Sequence, residues 1–125
     1  MIGPSNPHVA SQLRHLIYYN LDNGNWRNAL FLAERLKAYD PRSQDSVHLL
    51  ALCYLRLGQH HNAYDQAKPF GYKGSHFGCA YVFAEAARVR GSPMEGVHAL
   101  NKCKSSWQDK NHWGTYWAPS VHSRS

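Results

Sequence analysis

Histidine and cysteine are the residues whose side chains could do chemistry in this sequence, and their spacing does not form a reactive site. The chain of 125 residues has nine histidines and three cysteines. His60 and His61 are adjacent, so on a helix their side chains would point about 100° apart and chelate a metal poorly. His8 and His15 would share a helix face, but no cysteine or carboxylate joins them in sequence. Because zinc sites need about four ligands at recognisable spacing, we interpret the histidines as structural or surface residues and expect no metal or cofactor.

The cysteines and carboxylates give no sign of catalysis either. Cys53 and Cys103 fall on apolar faces of predicted helices, where a free cysteine behaves as a small hydrophobe. The cysteines form no C-x-x-C pair and are odd in number, which favours a reducing compartment. The sequence has no nucleophile elbow, P-loop or dinucleotide-binding motif, and Glu34, Glu85 and Glu95 are isolated. We therefore expect a protein that is not an enzyme.

Charge and hydropathy argue against two further classes of function. Lys and Arg number 14 against 8 Asp and Glu, which gives a net charge of +6 at pH 7. The basic residues are scattered rather than gathered in one stripe, so an ordinary solvated surface is favoured over nucleic-acid binding. No apolar run approaches the roughly 18 residues of a transmembrane helix, so we expect no membrane partner.

Glycines recur at a nearly constant interval, and this period predicts the fold. Gly24, Gly58 and Gly91 are 34 and then 33 residues apart, each between two stretches with the apolar spacing of a helix. A small residue follows each glycine after five positions. The interval is that of a tetratricopeptide-type helix pair, which cannot bury its apolar faces alone and stacks on its neighbours. We predict an all-α fold, a tetratricopeptide-type α-solenoid of about three antiparallel helix pairs.

The positions of the glycines and of the apolar stretches predict where each helix pair lies and which residues pack the helices together. The predicted segments are a lead-in at 1–7, helix pairs at 8–41, 44–75 and 76–104, and an irregular tryptophan-rich tail at 105–125. The tail either folds back over the last helix pair, forms a poorly ordered end, or stands in for a further repeat. Small, turn-forming or space-filling side chains should let the helices approach closely. These repeat-packing candidates are Gly24, Ala29, Ala33, Pro41, Ala51, Tyr54, Gly58, Ala63, Ala67, Ala84, Gly91 and Gly96.

The first helix pair carries more apolar surface than its own core needs. Tyr18 and Tyr19 are neighbours in sequence, so both cannot face the same core. A helix that is apolar nearly all round is buried on several sides, which predicts docking on another protein, such as a second copy of this chain. Partial exposure of a few aromatic residues, which is normal, is the alternative. The candidate dimer residues are Leu13, Leu16, Ile17, Tyr18, Tyr19, Trp26, Phe31 and Leu32.

Two runs of the sequence resemble a known family. NALFLAERLKAYDP, from Asn28 to Pro41, and LLALCYLRLGQHHNAYDQAK, from Leu49 to Lys68, resemble the N-terminal repeats of the cell-division-cycle-27 subunit of the anaphase-promoting complex. The opening segment, residues 5–36, looks closest to fungal members. The ARVRGSPMEG segment is similar to the third repeat of that family, so the resemblance extends roughly from residue 6 to residue 104.

The resemblance implies a fold of stacked helix pairs, a homodimer formed through the N-terminal repeats, and no catalysis by the subunit itself. It implies a scaffold in a ubiquitin ligase that acts in mitotic cell-cycle progression. The implied partners are a second copy and other subunits of the complex, in the nucleus and cytoplasm. The family's groove for coactivator tails lies in C-terminal repeats and does not map onto this chain.

Two other functions stay open. A co-chaperone-like adaptor that clamps peptide tails needs Lys or Arg followed four residues later by Asn on the first helix, whereas Tyr18 stands four residues after Arg14. Binding of an acidic C-terminal peptide would favour that adaptor. An RNA-binding helical repeat protein would instead show strong, salt-sensitive retention on RNA. We rank both below the scaffold hypothesis.

Overall fold

The computed structural model describes the backbone of residues 7–109 and the side chains of residues 8–104. This part of the chain consists of helices joined by turns of three to five residues, without strands. The helices are α1 (Pro7–Asp22), α2 (Trp26–Tyr39), α3 (Gln44–Arg56), α4 (His60–Gly71), α5 (Phe77–Val89) and α6 (Pro93–Asp109). Consecutive helices form antiparallel pairs, and each pair stacks on the next. The predicted all-α solenoid of three helix pairs is confirmed.

The turn inside each pair has the same geometry, because glycine adopts a left-handed conformation there. Gly24, Gly58 and Gly91 have φ angles of 75°, 80° and 90°. In each turn the residue after the glycine donates its backbone N–H to the carbonyl five residues earlier, at 2.8 to 2.9 Å, as in a Schellman motif. An added Cβ would meet nothing within 4 Å at any of the three. The positive φ, rather than crowding, therefore requires glycine at these positions.

The turn glycines set a register that relates the three pairs. An offset of 34 residues matches the first pair to the second, and an offset of 33 matches the second to the third. At three matched positions, the residue of the first pair and the residue of the second pair are both fully buried. Each of them belongs to a core cluster that also includes residues from the first helix of the next pair. They are Ile17 with Ala51, Ala29 with Ala63, and Ala33 with Ala67.

Two core clusters result, and each is completed by the helix that enters the groove of the preceding pair. The groove between α1 and α2 receives Leu49, Leu50 and Cys53 of α3. The groove between α3 and α4 receives Cys79, Val82, Phe83 and Ala86 of α5. Tyr54 packs against both clusters. The core is therefore shared between neighbouring pairs, as expected for repeats that cannot fold singly.

Glycine also permits two contacts between helix backbones. A Cβ added at Gly96 would lie 2.8 Å from the Cα of Ala84, so α5 and α6 touch where only hydrogen atoms fit. A Cβ added at Gly71 would lie 2.6 Å from the carbonyl oxygen of Cys79. The first contact involves two of the predicted repeat-packing residues. No glycine stands at the positions that match Gly71 in the other pairs, so the 33- to 34-residue period does not predict the second contact.

Two helices end later than the sequence spacing favours. α4 continues through Pro69 to Gly71, inside the glycine-rich stretch that follows Lys68. Proline leaves the carbonyl of Asp65 without its helical partner, but Asp65 is exposed and water can bind that oxygen. α6 continues to Asp109, five residues beyond position 104. The rest of the predicted tail, residues 110–125, and residues 1–6 of the predicted lead-in lie outside the described residues.

A pair of histidines joins the second helix pair to the third. His76 is the N-cap of α5, where its Nδ1 accepts the backbone N–H of Cys79 at 3.2 Å. Because Nδ1 is then unprotonated, Nε2 carries the proton and donates it to Oδ1 of Asp45 at 3.0 Å. The centroids of the His48 and His76 rings lie 5.4 Å apart. His48 packs against Gly78, where an added Cβ would come within 2.7 Å of its Nε2.

This junction shifts the pKa values of two side chains. Burial lowers the pKa of His48 from 6.5 to about 4, an effect that a charge on His76 would reinforce and the carboxylate of Asp45 opposes. The hydrogen bond from His76 lowers the pKa of Asp45, with smaller contributions from His48 and Arg14, while partial burial opposes the shift. His48 is therefore neutral in the folded chain at pH 7.

Acidification should destabilise the chain through His48. The unfolded chain binds this proton near pH 6.5 and the folded chain only near pH 4, so the stabilisation is fully present above pH 6.5. It is lost as the pH falls from 6.5 through 4, by up to about 3 kcal/mol. Urea unfolding at stepped pH measures this loss. His48→Gln is the control and should flatten the profile in that window, and an equal slope in both proteins would contradict the assignment.

Gly96→Ala should destabilise the chain although alanine is the better helix former. The gain in helix propensity is about 1 kcal/mol, whereas pressing a Cβ into the backbone of Ala84 costs about 1 to 3 kcal/mol. We expect a net loss, measured as a lower urea midpoint at unchanged slope. Gly91→Asn is the matched control, because an added Cβ there meets nothing within 4 Å and asparagine tolerates positive φ. A raised midpoint for Gly96→Ala would refute the backbone contact.

Candidate functional site

The register identifies a face of α1 that resembles a buried face but is exposed. On α3 and α5, one stripe of residues enters the groove of the preceding pair, and none of them is more than 5% exposed. They are Ser46, Leu49, Leu50 and Cys53 on α3, and Cys79, Val82, Phe83 and Ala86 on α5. The matched residues on α1, which we call the leading face, are Gln12, His15, Leu16 and Tyr19.

The leading face is open to solvent. Leu16 is 45% exposed and Tyr19 is 60% exposed, and Gln12 and His15 beside them are also exposed. Residues three, four and seven positions apart lie on one side of a helix, so these four side chains form a continuous stripe. The stripe runs from Gln12 to Tyr19, and exposed aliphatic and aromatic residues next to polar ones are typical of a protein interface.

The leading face is held in place by the opposite side of α1. Ala10 and Ile17 are buried against the core cluster of the first pair. Asn20 is 7% exposed, donates from Nδ2 to the carbonyl of Leu16 at 2.8 Å, and accepts the amide of Asn28 on α2 at 3.0 Å. Because this hydrogen bond ties α1 to α2, the leading face sits on a helix fixed by packing on its far side.

The structure corrects the predicted set of dimer residues. Ile17 is fully buried within the chain, because one helical step from Leu16 turns its side chain towards α2 and α3. It therefore belongs to the repeat-packing residues. Leu13 and Leu32 are partly buried against the same core cluster and offer little surface. Of the predicted dimer residues, Leu16 and Tyr19 lie on the leading face.

Phe31 is exposed on a different surface. Its ring is 49% exposed, and the guanidinium of Arg35 lies 4.3 Å from the ring centroid, within the range of a cation–π contact. The matched residues Asp65 and His98 are exposed as well. This outer surface of α2 is therefore not a position that stacking between pairs buries.

Tyr18 and Trp26 are also exposed outside the leading face. Tyr18 is 47% exposed and lies one helical step from Tyr19, as the sequence predicts for neighbours. Trp26 is 39% exposed at the start of α2, where it lines a shallow pocket together with Leu57. Pro41 is exposed in the turn after α2. It therefore marks the end of the first pair but does not pack between helices.

The cysteines are packed in the core. All three are free and buried. Burial raises the pKa of Cys53 and of Cys79 to about 12 and also raises the pKa of Cys103. The nucleophilic thiolate is therefore scarce at pH 7. Within residues 7–109, no group of three or more His, Cys, Asp or Glu residues is placed to hold a metal ion.

Between residues 7 and 109, none of the helices combines the length and apolar character needed to cross a membrane.

Helix pairs in a register of 33 to 34 residues, each closed by a glycine turn, define a tetratricopeptide-type α-solenoid. The chain belongs to the family described as anaphase-promoting complex, cyclosome, subunit 3, whose model matches residues 22–103. The resemblance to the cell-division-cycle-27 subunit is thereby confirmed.

Curated relatives from fungi and mammals agree with this family. Over 113 residues the chain is 50% identical to Protein bimA of Emericella nidulans, a match that covers 90% of the chain and 14% of the relative. It is 32% identical over 100 residues to Anaphase-promoting complex subunit 3 of Schizosaccharomyces pombe, covering 80% of the chain and 14% of the relative. It is 34% identical over 85 residues to the human Cell division cycle protein 27 homolog, covering 68% of the chain and 10% of the relative.

The chain thus spans at most 14% of the length of these relatives. No solved structure matches it significantly.

Proposed function

We propose that the chain is a non-catalytic scaffold module of the anaphase-promoting complex, a ubiquitin ligase, and that it forms a homodimer through the leading face. One observation carries the proposal. Gln12, His15, Leu16 and Tyr19 match positions that are buried in both following pairs, yet they are exposed on α1. A face built like a stacking surface, at the end of the described stack, fits a partner in the place that a neighbouring helix pair takes elsewhere in the stack.

A second copy is the partner that the chain itself provides. In a twofold dimer the same patch of both subunits forms the interface, so each apolar residue of the patch is buried in both subunits. The family resemblance implies such a dimer through the N-terminal repeats. The names of the relatives, Anaphase-promoting complex subunit 3 and Cell division cycle protein 27 homolog, support an assignment to that complex and to the cell-division cycle.

The exposed area sets the extent of the interface. Leu16 and Tyr19 are each about half exposed, so burying the rest of both in two subunits contributes roughly 4 kcal/mol in all. Association costs about 4 to 15 kcal/mol. The interface must therefore extend beyond the leading face to other exposed apolar residues of the first pair, such as Trp26 at the start of α2.

Three further observations bear on the cellular compartment and on the two alternative functions. Cys53, Cys79 and Cys103 are free thiols, which suits a reducing compartment such as the nucleus or the cytoplasm. The co-chaperone-like alternative has less support, because Tyr18 occupies the position four residues after Arg14 where a clamp would need asparagine. The RNA-binding alternative has less support, because the basic residues are scattered.

Sedimentation velocity over a range of concentrations tests the homodimer. The double variant Leu16→Asp, Tyr19→Asp should raise the dimer dissociation constant at least roughly tenfold, since it places unpaired charges in the centre of the interface. Met94→Asp is the matched control, because Met94 is an exposed apolar residue of the third pair, and it should leave association unchanged. A chain that is monomeric at all concentrations, or a dimer that the double variant leaves intact, would overturn the proposal.

A further inference from the structure

Between α4 and α6, three cationic side chains lie against two tyrosine rings. Nζ of Lys68 is 5.4 Å from the ring centroid of Tyr64, and the guanidinium carbon of Arg90 is 3.9 Å from the same centroid. Nζ of Lys102 is 5.4 Å from the ring centroid of Tyr72. These distances are within the range of a cation–π contact. We call this surface the basic seam, and its residues are Tyr64, Lys68, Tyr72, Arg90, Glu95, His98 and Lys102.

The two tyrosine rings hold the cations of the basic seam at fixed positions. Both rings pack on the buried ring of Phe83, with centroids 4.9 Å away for Tyr64 and 5.8 Å away for Tyr72. The hydroxyl of Tyr64 donates to Oε1 of Glu95 at 2.7 Å and so ties α4 to α6. Because the tyrosines are two helical turns apart on α4, the seam has two positive centres on the order of 10 Å apart.

The cations of the basic seam are available to an anion. Lys68, Arg90 and Lys102 are exposed, and within the described residues none of them forms an ion pair or donates a side-chain hydrogen bond. A cation–π contact leaves the N–H donors of the cation free. The carboxylate of Glu95 offsets one of the three charges, so the seam keeps an excess of positive charge.

The corresponding seam between α2 and α4 has the opposite charge. The residues matched there to Lys68 and His98 are Glu34 and Asp65, so packing of the repeat does not itself require cations at these positions. Glu34 and Asp65 are both exposed, although the third helix pair follows them in the stack. A pair stacked after α6 would likewise leave the basic seam open, because stacking buries the groove of a pair and not this outer surface.

We propose that the basic seam binds an acidic segment of a partner protein, with carboxylates held by Lys68 and Arg90 at one centre and by Lys102 at the other. Complementary charge steers such a segment to the seam and fixes its register. An extended chain rises about 3.3 Å per residue, so carboxylates three or four residues apart reach both centres. Since the tyrosine rings already position the cations, less side-chain freedom is lost on binding.

The covered tyrosine rings favour an acidic polypeptide over a single-stranded nucleic acid. Proteins that bind single strands stack the bases on open aromatic faces. Tyr64 is only 7% exposed, and Arg90 and Lys68 both lie over its ring. The ring of Tyr72 carries Lys102. The basic seam therefore offers cations to an anion but no open ring to a base.

Fluorescence anisotropy with a fluorescein-labelled octaglutamate peptide tests the proposal on the full chain. We expect Lys68→Gln, Lys102→Gln to raise the dissociation constant at least roughly fivefold, because one cation is lost from each centre. Lys68→Arg, Lys102→Arg should retain binding, since arginine keeps both the charge and the contact with the ring. Circular dichroism verifies that each variant is folded.

Arg27→Gln, Arg35→Gln is the matched control. It removes the same charge from α2, where the guanidinium of Arg35 also lies over an aromatic ring, that of Phe31, at 4.3 Å. At about 0.1 M salt, where charges more than about 10 Å apart are screened, the control should change the dissociation constant by less than about twofold.

Three results would overturn the proposal. One is that the unmodified chain does not bind the peptide, and another is that the control weakens binding as much as the seam variant, because net charge alone would then explain it. The third is that octauridine RNA binds more tightly than the peptide and is released by the seam variant. The basic seam is on α4 and α6 and the leading face is on α1, so peptide binding and the homodimer can fail independently.

Discussion

The close approach of helix backbones at glycine and alanine positions is the contact on which the rest of this structure depends. At Ala29, Ala33, Ala63 and Ala67 the side chains are fully buried, and at Gly96 even a methyl group would collide with Ala84. A groove lined this way accepts a whole helix, so the apolar residues of α3 and α5 find their core in the preceding pair. Larger side chains would hold the pairs apart and expose both core clusters.

Stacking of this kind gives every helix pair a face that enters a groove and a groove that receives a face. In the interior of the stack the two meet. At the ends of the described stack they do not, which leaves Leu16 and Tyr19 exposed on α1 and Tyr81 and Val97 exposed beside the groove of α5 and α6. The same packing that stabilises the fold thus leaves exposed apolar residues at each end of the described stack.

The sequence predicts the stack because its signals are local and periodic. The glycines at positions 24, 58 and 91 need a left-handed turn, and that requirement is visible in the spacing alone. Surplus apolar residues predict an exposed face on α1, but Ile17 shows the limit of that inference. Composition does not reveal which of two neighbouring apolar residues faces the core, whereas matching α1 to α3 and α5 does.

Other features depend on contacts between distant parts of the chain. Gly71 and Gly78 are required by Cys79 and His48, residues that meet them only after stacking, and the lowered pKa of His48 arises from burial in the same contact. A glycine-rich stretch near Pro69 reads as a break, although α4 continues through it. Such positions carry no local signal, so a single sequence does not distinguish them from ordinary loop residues.

Amide hydrogen exchange, followed at low and high protein concentration, tests most directly whether the face of α1 is a binding surface. If a second copy covers that face, exchange in the middle of α1, around Leu16 and Tyr19, slows as the concentration rises, while exchange in α4 stays constant. Unchanged exchange in α1, with protection confined to other helices, would contradict the account.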